Sequence, residues 1–154
     1  MKIKIVCREE NFTKYRNMLE SIGFEISDEA NLLLKELDFV QNRFYARDSK
    51  NNLVVIDIDQ VYLIESFGNI TELKTENCTY RISEKLYEIA EKYAVKGFIR
   101  INKSQIVNLT KIEKVSPQFN STMKIFLKNL KIVYVSRSYI TNFKDSLDIG
   151  GKEW

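Results

Sequence analysis

Asp57 and Asp59, two residues apart in "DIDQ", are the first pair in this sequence whose types and spacing could do chemistry. On a strand, side chains two apart share a face, so both carboxylates could hold a magnesium ion as a nuclease requires. No third carboxylate stands at a helpful spacing, and a strand end reaching solvent accounts for the pair equally well. The 154 residues include no histidine, which excludes Ser-His-Asp and Cys-His catalysis together with His-ligated zinc and haem. Cys7 would then need a helix N-terminus or a lysine to become a nucleophile, and a buried thiol on a strand's apolar face is the plainer reading. Cys7 and Cys78 fit no metal or disulfide pattern and read as reduced thiols. Five scattered glycines form no phosphate-cradling loop. Neither catalysis, metal nor cofactor is expected.

Binding chemistry has more support. Residues 98–154 hold ten Lys/Arg against four Asp/Glu, whereas residues 1–42 hold six against eight and residues 43–97 eight against nine. A basic excess confined to one third of the chain is the footprint expected for a polyanion. Between Arg100 and Arg137 only Glu113 opposes eight Lys/Arg. Within this stretch "FIRINKSQIVNL" alternates like a strand and then interposes Asn102, Lys103 and Ser104. "VSRSY" likewise ends a strand in Ser136, Arg137 and Ser138, all donors. Donors at strand ends reach phosphates or guanine edges without a helix in the groove. Taken singly, each residue is ordinary surface polarity; together they favour nucleic acid.

The elements that must position these residues follow from periodicity. "KIKIVCR" alternates as a strand with Ile3, Ile5 and Cys7 on one face. Phe12, Tyr15, Leu19 and Ile22 recur at helical spacing behind an Asn11 cap, and Gly23 ends the helix in a left-handed turn. "NLLLKELDFV" reads as strand or short helix. From Arg43 the chain becomes short strands: "RFYARD" and "LVVIDI" around the polar turn "SKNN", then "QVYLIES", then "ITELKT" and "CTYRIS" as a hairpin across Glu76 and Asn77. Leu86, Ile89, Ala90 and Tyr93 form the stripe of a helix capped by Ser83 and stopped by Gly97. "FIRI", "QIVNL", "IEKVS", "MKIFLK" and "IVYVS" return to strand, with turns in "PQFNST" and "NLK", and a last helix holds Ile140, Phe143 and Leu147. The pattern predicts an α+β chain: a small βα unit over residues 1–42, a mostly β, sandwich-like domain over 43–148, and a tail over 149–154. No run approaches eighteen apolar residues and the start has no signal core, so a cytoplasmic location is expected.

Three blocks, "VYLIESFGNITELKT", "GFIRINKSQIVNLTKIEKV" and "LKNLKIVYVSRSYITNFKDSL", resemble the LytTR family of bacterial DNA-binding domains. They occur in the family's order and spacing, from about Arg43 to Leu147. The resemblance implies an elongated stack of small antiparallel sheets with one main helix, whose loops enter successive major grooves of double-stranded DNA. It implies three reading positions. Asn69 in "FGNIT" is the first. The second is the loop of Asn102, Lys103 and Ser104, where Asn102 replaces the family's common His; Lys103 is the implied contact, and Ser104 donates to a phosphate or fixes the loop. The third is Arg137, followed by Ser138, with bidentate pairing to guanine as its implied role. Asn108 in "IVN" belongs to the match as a structural residue.

The expectation is therefore a sequence-specific transcriptional regulator. Lysines 111, 114, 124, 128 and 131 are candidates for phosphate contacts. Family target sites imply promoter repeats bound by a homodimer. Some 42 residues precede the match, too few for a doubly wound phosphoreceiver, so that unit is expected to mediate dimerisation or to meet a regulatory protein, a membrane-bound one included. The alternative is a non-enzymatic interaction module whose basic face binds an acidic protein.

Overall fold

The opening alternation forms strand β1 (Lys2–Val6), followed by helix α1 (Glu9–Ser21), β2 (Glu25–Ile26) and β3 (Leu32–Lys35). In this computed structural model, which describes residues 1–36 and 41–147, the chain divides into two units, residues 1–40 and 41–154. The first unit is a parallel sheet in the order β2-β1-β3 with α1, richer in strand than one β and one α element. Its ambiguous leucine run resolves as β3, while residues 37–40 lie outside the described residues.

The helical stripe divides here: Leu19 is buried, whereas Phe12 and Ile22 are exposed. Asn11 is not the cap. The helix starts earlier, behind Arg8, with Glu9 and Glu10 in the first turn where the helix dipole favours acids. The Asn11 amide instead donates to Glu36 Oε1 at 2.6 Å, beside the Tyr15 hydroxyl at 3.0 Å. Arg8 donates its backbone N–H (3.0 Å) and its guanidinium (3.2 Å) to Oε2. These bonds, the Arg8 backbone N–H foremost, hold the Glu36 carboxyl below its ordinary range. Cys7, half-buried, is pushed up by burial and then by Glu36, away from nucleophilic character. Gly23 ends the helix at φ 98°.

The second unit runs β4 (Arg43–Arg47), β5 (Leu53–Asp57), β6 (Leu63–Phe67), β7 (Ile70–Lys74), β8 (Thr79–Ile82), helix α2 (Leu86–Tyr93), β9 (Phe98–Asn102), β10 (Gln105–Asn108), β11 (Ile112–Pro117), β12 (Met123–Leu127), β13 (Ile132–Val135) and helix α3 (Ile140–Ser146). Seven strands make an antiparallel sheet ordered β5-β4-β8-β7-β6-β10-β9, and β11-β12-β13 make a second. The "SKNN" turn closes on Asp48, which accepts from the Lys50 and Asn52 backbone N–H groups at 2.9 and 2.8 Å. The hairpin across Glu76 and Asn77 pairs β7 with β8.

Two further sequence expectations, both in the second unit, need correction. Helix α2 begins behind Lys85, to whose backbone N–H Glu88 returns its side chain, so Ser83 lies outside it. Asp57 and Asp59 do not share a strand face. Asp57 ends β5 and caps a 3-10 turn (Ile58–Gln60) that contains Asp59, with its own N–H bonded to Gln60 Oε1.

Apolar residues on β6, β9 and β10 occur in adjacent pairs because both sheet faces are covered. On one face Leu63, Ile99, Ile101 and Val107 pack with Met123, Ile125, Leu127, Val133 and Val135 of the second sheet and with Phe143 of α3. On the other, Phe98 stacks edgewise on Tyr93 of α2 and on Phe44, with centroids at 6.0 and 5.7 Å. Gly97, at φ 87°, makes the turn between α2 and β9 that sets this packing.

One ion cluster ties the sheets together. Glu65, 7 % exposed on β6, receives Lys131 Nζ (2.8 Å) from the β12–β13 turn and Lys74 Nζ (3.0 Å) from β7 on the same Oε1. Burial alone would raise this carboxyl, but the two lysines outweigh it and hold the group below its ordinary range. A depressed folded-state pKa gives stability that is present above the unfolded value and lost as pH falls through the folded one. Both lysine heads reach water, so Glu65→Gln is expected to cost about 1–2 kcal/mol at pH 7. Urea unfolding from pH 7 to pH 3 should show the variant and wild type converging at the acid end.

Candidate nucleic-acid interface

Antiparallel pairing decides which loops meet. Phe67 pairs with Ile70, so Gly68 and Asn69 form a two-residue hairpin turn, with glycine at its first position and φ 58° as that turn requires. The Ser66 N–H donates to Ser104 O at 2.9 Å, bringing the β9–β10 turn out at the same end of the sheet. The Ser136 N–H donates to Ile101 O at 2.9 Å and lays the exit of β13 alongside β9. These bonds assemble an open depression lined by Asn102, Lys103, Ser104, Ser136, Arg137 and Ser138. Asn102, Lys103, Ser104, Arg137 and Ser138, separated by 36 positions in the chain, are thus brought together. Asn69 lies outside the depression, on the adjoining turn.

The side chains within it divide by what they bond. Asn102 Oδ1 accepts from the Ser104 N–H (3.0 Å) and hydroxyl (3.1 Å), and its Nδ2 donates to Gln105 Oε1 (2.7 Å) and Tyr134 O (3.1 Å). Its amide is committed to shaping the loop and tethering it to β13. The Ser104 hydroxyl donates to the same oxygen. Lys103 offers only its backbone carbonyl inward, to Arg100 Nη2 at 2.6 Å, and its ammonium meets no partner among the described residues. The Arg137 guanidinium donates to Asn120 O at 3.3 Å and meets no carboxylate among them. Two cations stand on one concave surface beside the hydroxyls of Ser136 and Ser138. The arrangement offers donors to phosphate oxygens and to the paired acceptors O6 and N7 of guanine.

Arg100 did not stand out in the sequence beyond its charge. It donates Nε to Asn102 O at 3.2 Å and Nη2 to Lys103 O, and its guanidinium lies 6.0 Å from the Tyr139 ring, next to Arg137. One residue therefore braces both loops. The only sequence signal was an arginine in a strand whose neighbours Ile99 and Ile101 are both core.

The five lysines proposed for phosphates do not behave alike. Lys131 is held by Glu65. Lys111 lies over Tyr62 (5.1 Å), and Lys114 and Lys124 flank Phe126 (4.3 and 5.0 Å) on the outward face of the second sheet. Ile112 pairs with Leu127 and Pro117 with Met123. Lys111, Lys128 and Lys131 therefore lie at the sheet end away from Arg137, and Lys124 at the near end.

Comparison with known proteins decides the family. The sequence profile of the LytTr DNA-binding domain matches residues 51–148.

The chain belongs to the LytTR family of DNA-binding domains.

The fold is also that of a LytTr DNA-binding domain from Bacillus cereus, at a TM-score of 0.65 and 24% identity, covering 70% of this chain and 98% of that one. The sensory transduction protein LytT of Enterococcus faecalis is 29% identical over 100 residues, 65% of this chain and 41% of that protein. An uncharacterized HTH-type transcriptional regulator of Staphylococcus aureus is 33% identical over 95 residues, 62% of this chain and 64% of its own length. This chain thus spans less than two thirds of the length of the Enterococcus faecalis and Staphylococcus aureus proteins. No helix among the described residues is long and apolar enough to cross a membrane.

Proposed function

We propose that this LytTR protein recognises a specific bacterial promoter sequence through the loops around the Lys103–Arg137 depression, without catalytic activity. The observation that carries this reading is the convergence of two cations, each free of any carboxylate among the described residues, on a surface braced by Arg100 and Asn102. Lys103, Arg137 and Asn69 face base edges. Ser138, with Ser136, donates to phosphates. Asn102 and Ser104 act by holding the loop, so their side chains position Lys103 rather than read DNA. Lys124, at the near end of the second sheet, is the best placed of the five lysines for the backbone, and Lys131 is withdrawn from that role.

The protein works in the cytoplasm as a homodimer on paired promoter repeats. Residues 1–42 mediate self-association or contact a regulatory protein, a membrane-bound one included; exposed Phe12, Ile22, Leu32 and Leu33 supply the apolar surface. Deleting residues 1–42 is expected to lower the oligomeric mass in sedimentation velocity, and an unchanged mass removes the self-association version.

The direct test is selection of duplexes from a random-sequence pool, followed by fluorescence anisotropy over a salt series. A consensus should emerge, bound at least about a thousandfold more tightly than scrambled duplex. Lys103→Ala should bind the consensus more weakly and relax the preference at the base pair it reads, with a smaller loss on scrambled duplex. A pool that yields no consensus, with binding that ignores sequence, would replace this reading by a surface for polyanions or acidic proteins.

A further inference from the structure

Phe119 is the most exposed large apolar side chain of the described residues, at 111 % of its reference area, and stands in the turn between β11 and β12. Burial of an apolar ring is normally favourable, so a phenylalanine displayed in full has a use for its ring or none at all. The turn that carries it is built rather than loose. The Gln118 N–H donates to Thr122 O at 2.9 Å, the Thr122 hydroxyl donates to Asn120 Oδ1, and Ser121 takes φ 61°. The Gln118 amide donates back to Pro117 O at 3.2 Å. The next residue in the chain, Asn120, offers its carbonyl to the Arg137 guanidinium at 3.3 Å. Successive Cα atoms are 3.8 Å apart, so the Phe119 Cα lies within about 10 Å of that guanidinium and its ring within about 15 Å, roughly four base-pair steps.

We propose that Phe119 is a specificity-determining contact of the same interface, packing on the C5-methyl group of a thymine that flanks the guanine read by Arg137. This inference rests on the promoter-reading function above. The thymine methyl is the one apolar feature the major groove presents, and it matches an aromatic ring among donors. The ring's surroundings argue against a protein partner. Gln118, Asn120, Ser121, Thr122 and Arg137 are polar, whereas a protein interface centres on a broad apolar patch.

The experiment uses the full-length protein and the consensus duplex selected from the random pool. The guanine recognised by Arg137 is first located by base substitution against Arg137→Ala. Each thymine within four base pairs of it is then replaced singly by deoxyuridine, which removes only the methyl. Wild type should lose about fourfold in affinity at one such thymine, the worth of one buried methyl group. Phe119→Ala should lose on the order of tenfold on the thymine duplex and nothing more on the deoxyuridine duplex. Phe119→Leu should recover part of the loss and part of the methyl sensitivity. Three results overturn the inference while leaving promoter reading intact: a flat deoxyuridine scan, a consensus with no thymine in that window, or Phe119→Ala keeping the wild-type methyl sensitivity. A lower oligomeric mass for Phe119→Ala without DNA would also overturn it, by assigning the ring to a second protomer. Failure to select any consensus would instead remove the promoter reading itself.

Discussion

Arg137→Ala is expected to cost this protein roughly 1–3 kcal/mol of specific binding, about fivefold to 150-fold in Kd, on its selected duplex. Non-specific binding to scrambled DNA should change far less. Among the described residues the guanidinium, in a 3-10 turn (Arg137–Tyr139), is bonded only to Asn120 O and opposed by no carboxylate, which leaves its other donors for a fork-shaped contact. A fork matches guanine O6 and N7, whereas an ammonium at the same place is a point charge. Arg137→Lys should therefore keep most of the salt-dependent affinity and still lose most of the base discrimination. Competition of the selected duplex against variants changed at one base pair separates these effects. Arg137→Lys discriminating as wild type does would show that the residue supplies charge alone. Loss in Arg137→Ala shared equally by scrambled DNA would make it a phosphate contact.

Much of this arrangement was legible in the sequence, and the boundary follows the range of the interactions. Alternation, turn residues and glycines act within a few residues. The strands from Arg43 onward, the "SKNN" turn, the hairpin across Glu76 and Asn77, and the helix-ending glycines at 23 and 97 could therefore be read directly. What failed depends on partners far along the chain. Asn11 looks like a cap, yet its amide serves Glu36, 25 residues on. Three consecutive leucines carry no period, and only pairing with β1 makes residues 32–35 a strand. Glu65 could not be separated from any exposed glutamate until Lys131, 66 residues away, was folded onto it. The site divides in the same way. Resemblance pointed to the loop residues, and charge to their end of the chain. That the Asn102 amide braces the loop depends on Tyr134, 32 residues on. Phe119 read only as part of a polar turn, because exposure of a ring at a tip has no signature in sequence.

Asn108→Asp, a change of one atom type, is expected to be among the most damaging substitutions in the second unit. Asn108 is 2 % exposed and uses both ends of its amide. Its Nδ2 donates to Val61 O at 2.8 Å and Ile58 O at 3.3 Å, while its Oδ1 accepts from the Thr110 N–H at 3.1 Å and hydroxyl at 2.8 Å. It locks β10 to the segment entering β6, and β10 is the strand that carries the Lys103 turn. A carboxylate there keeps the Thr110 bonds but sets a charged oxygen against two carbonyl oxygens in a site closed to water. Removing one partner of such a buried arrangement costs roughly 3–5 kcal/mol, against about 1–3 kcal/mol for Asn108→Ala, which leaves unpaired groups but no charge. Desolvation and carbonyl repulsion favour the neutral acid, raising the folded-state pKa of the new group above its unfolded value. The penalty is then complete at neutral pH and is relieved as pH falls through the folded value, because the protonated acid regains a donor for Val61 O. Denaturant unfolding between pH 8 and pH 4 should show Asn108→Asp gaining on wild type as pH falls, while Asn108→Ala keeps a constant deficit. Parallel pH profiles for the two variants would mean that the site admits water, and that the pairing of β10 with β6 rather than this amide holds the reading loop in place.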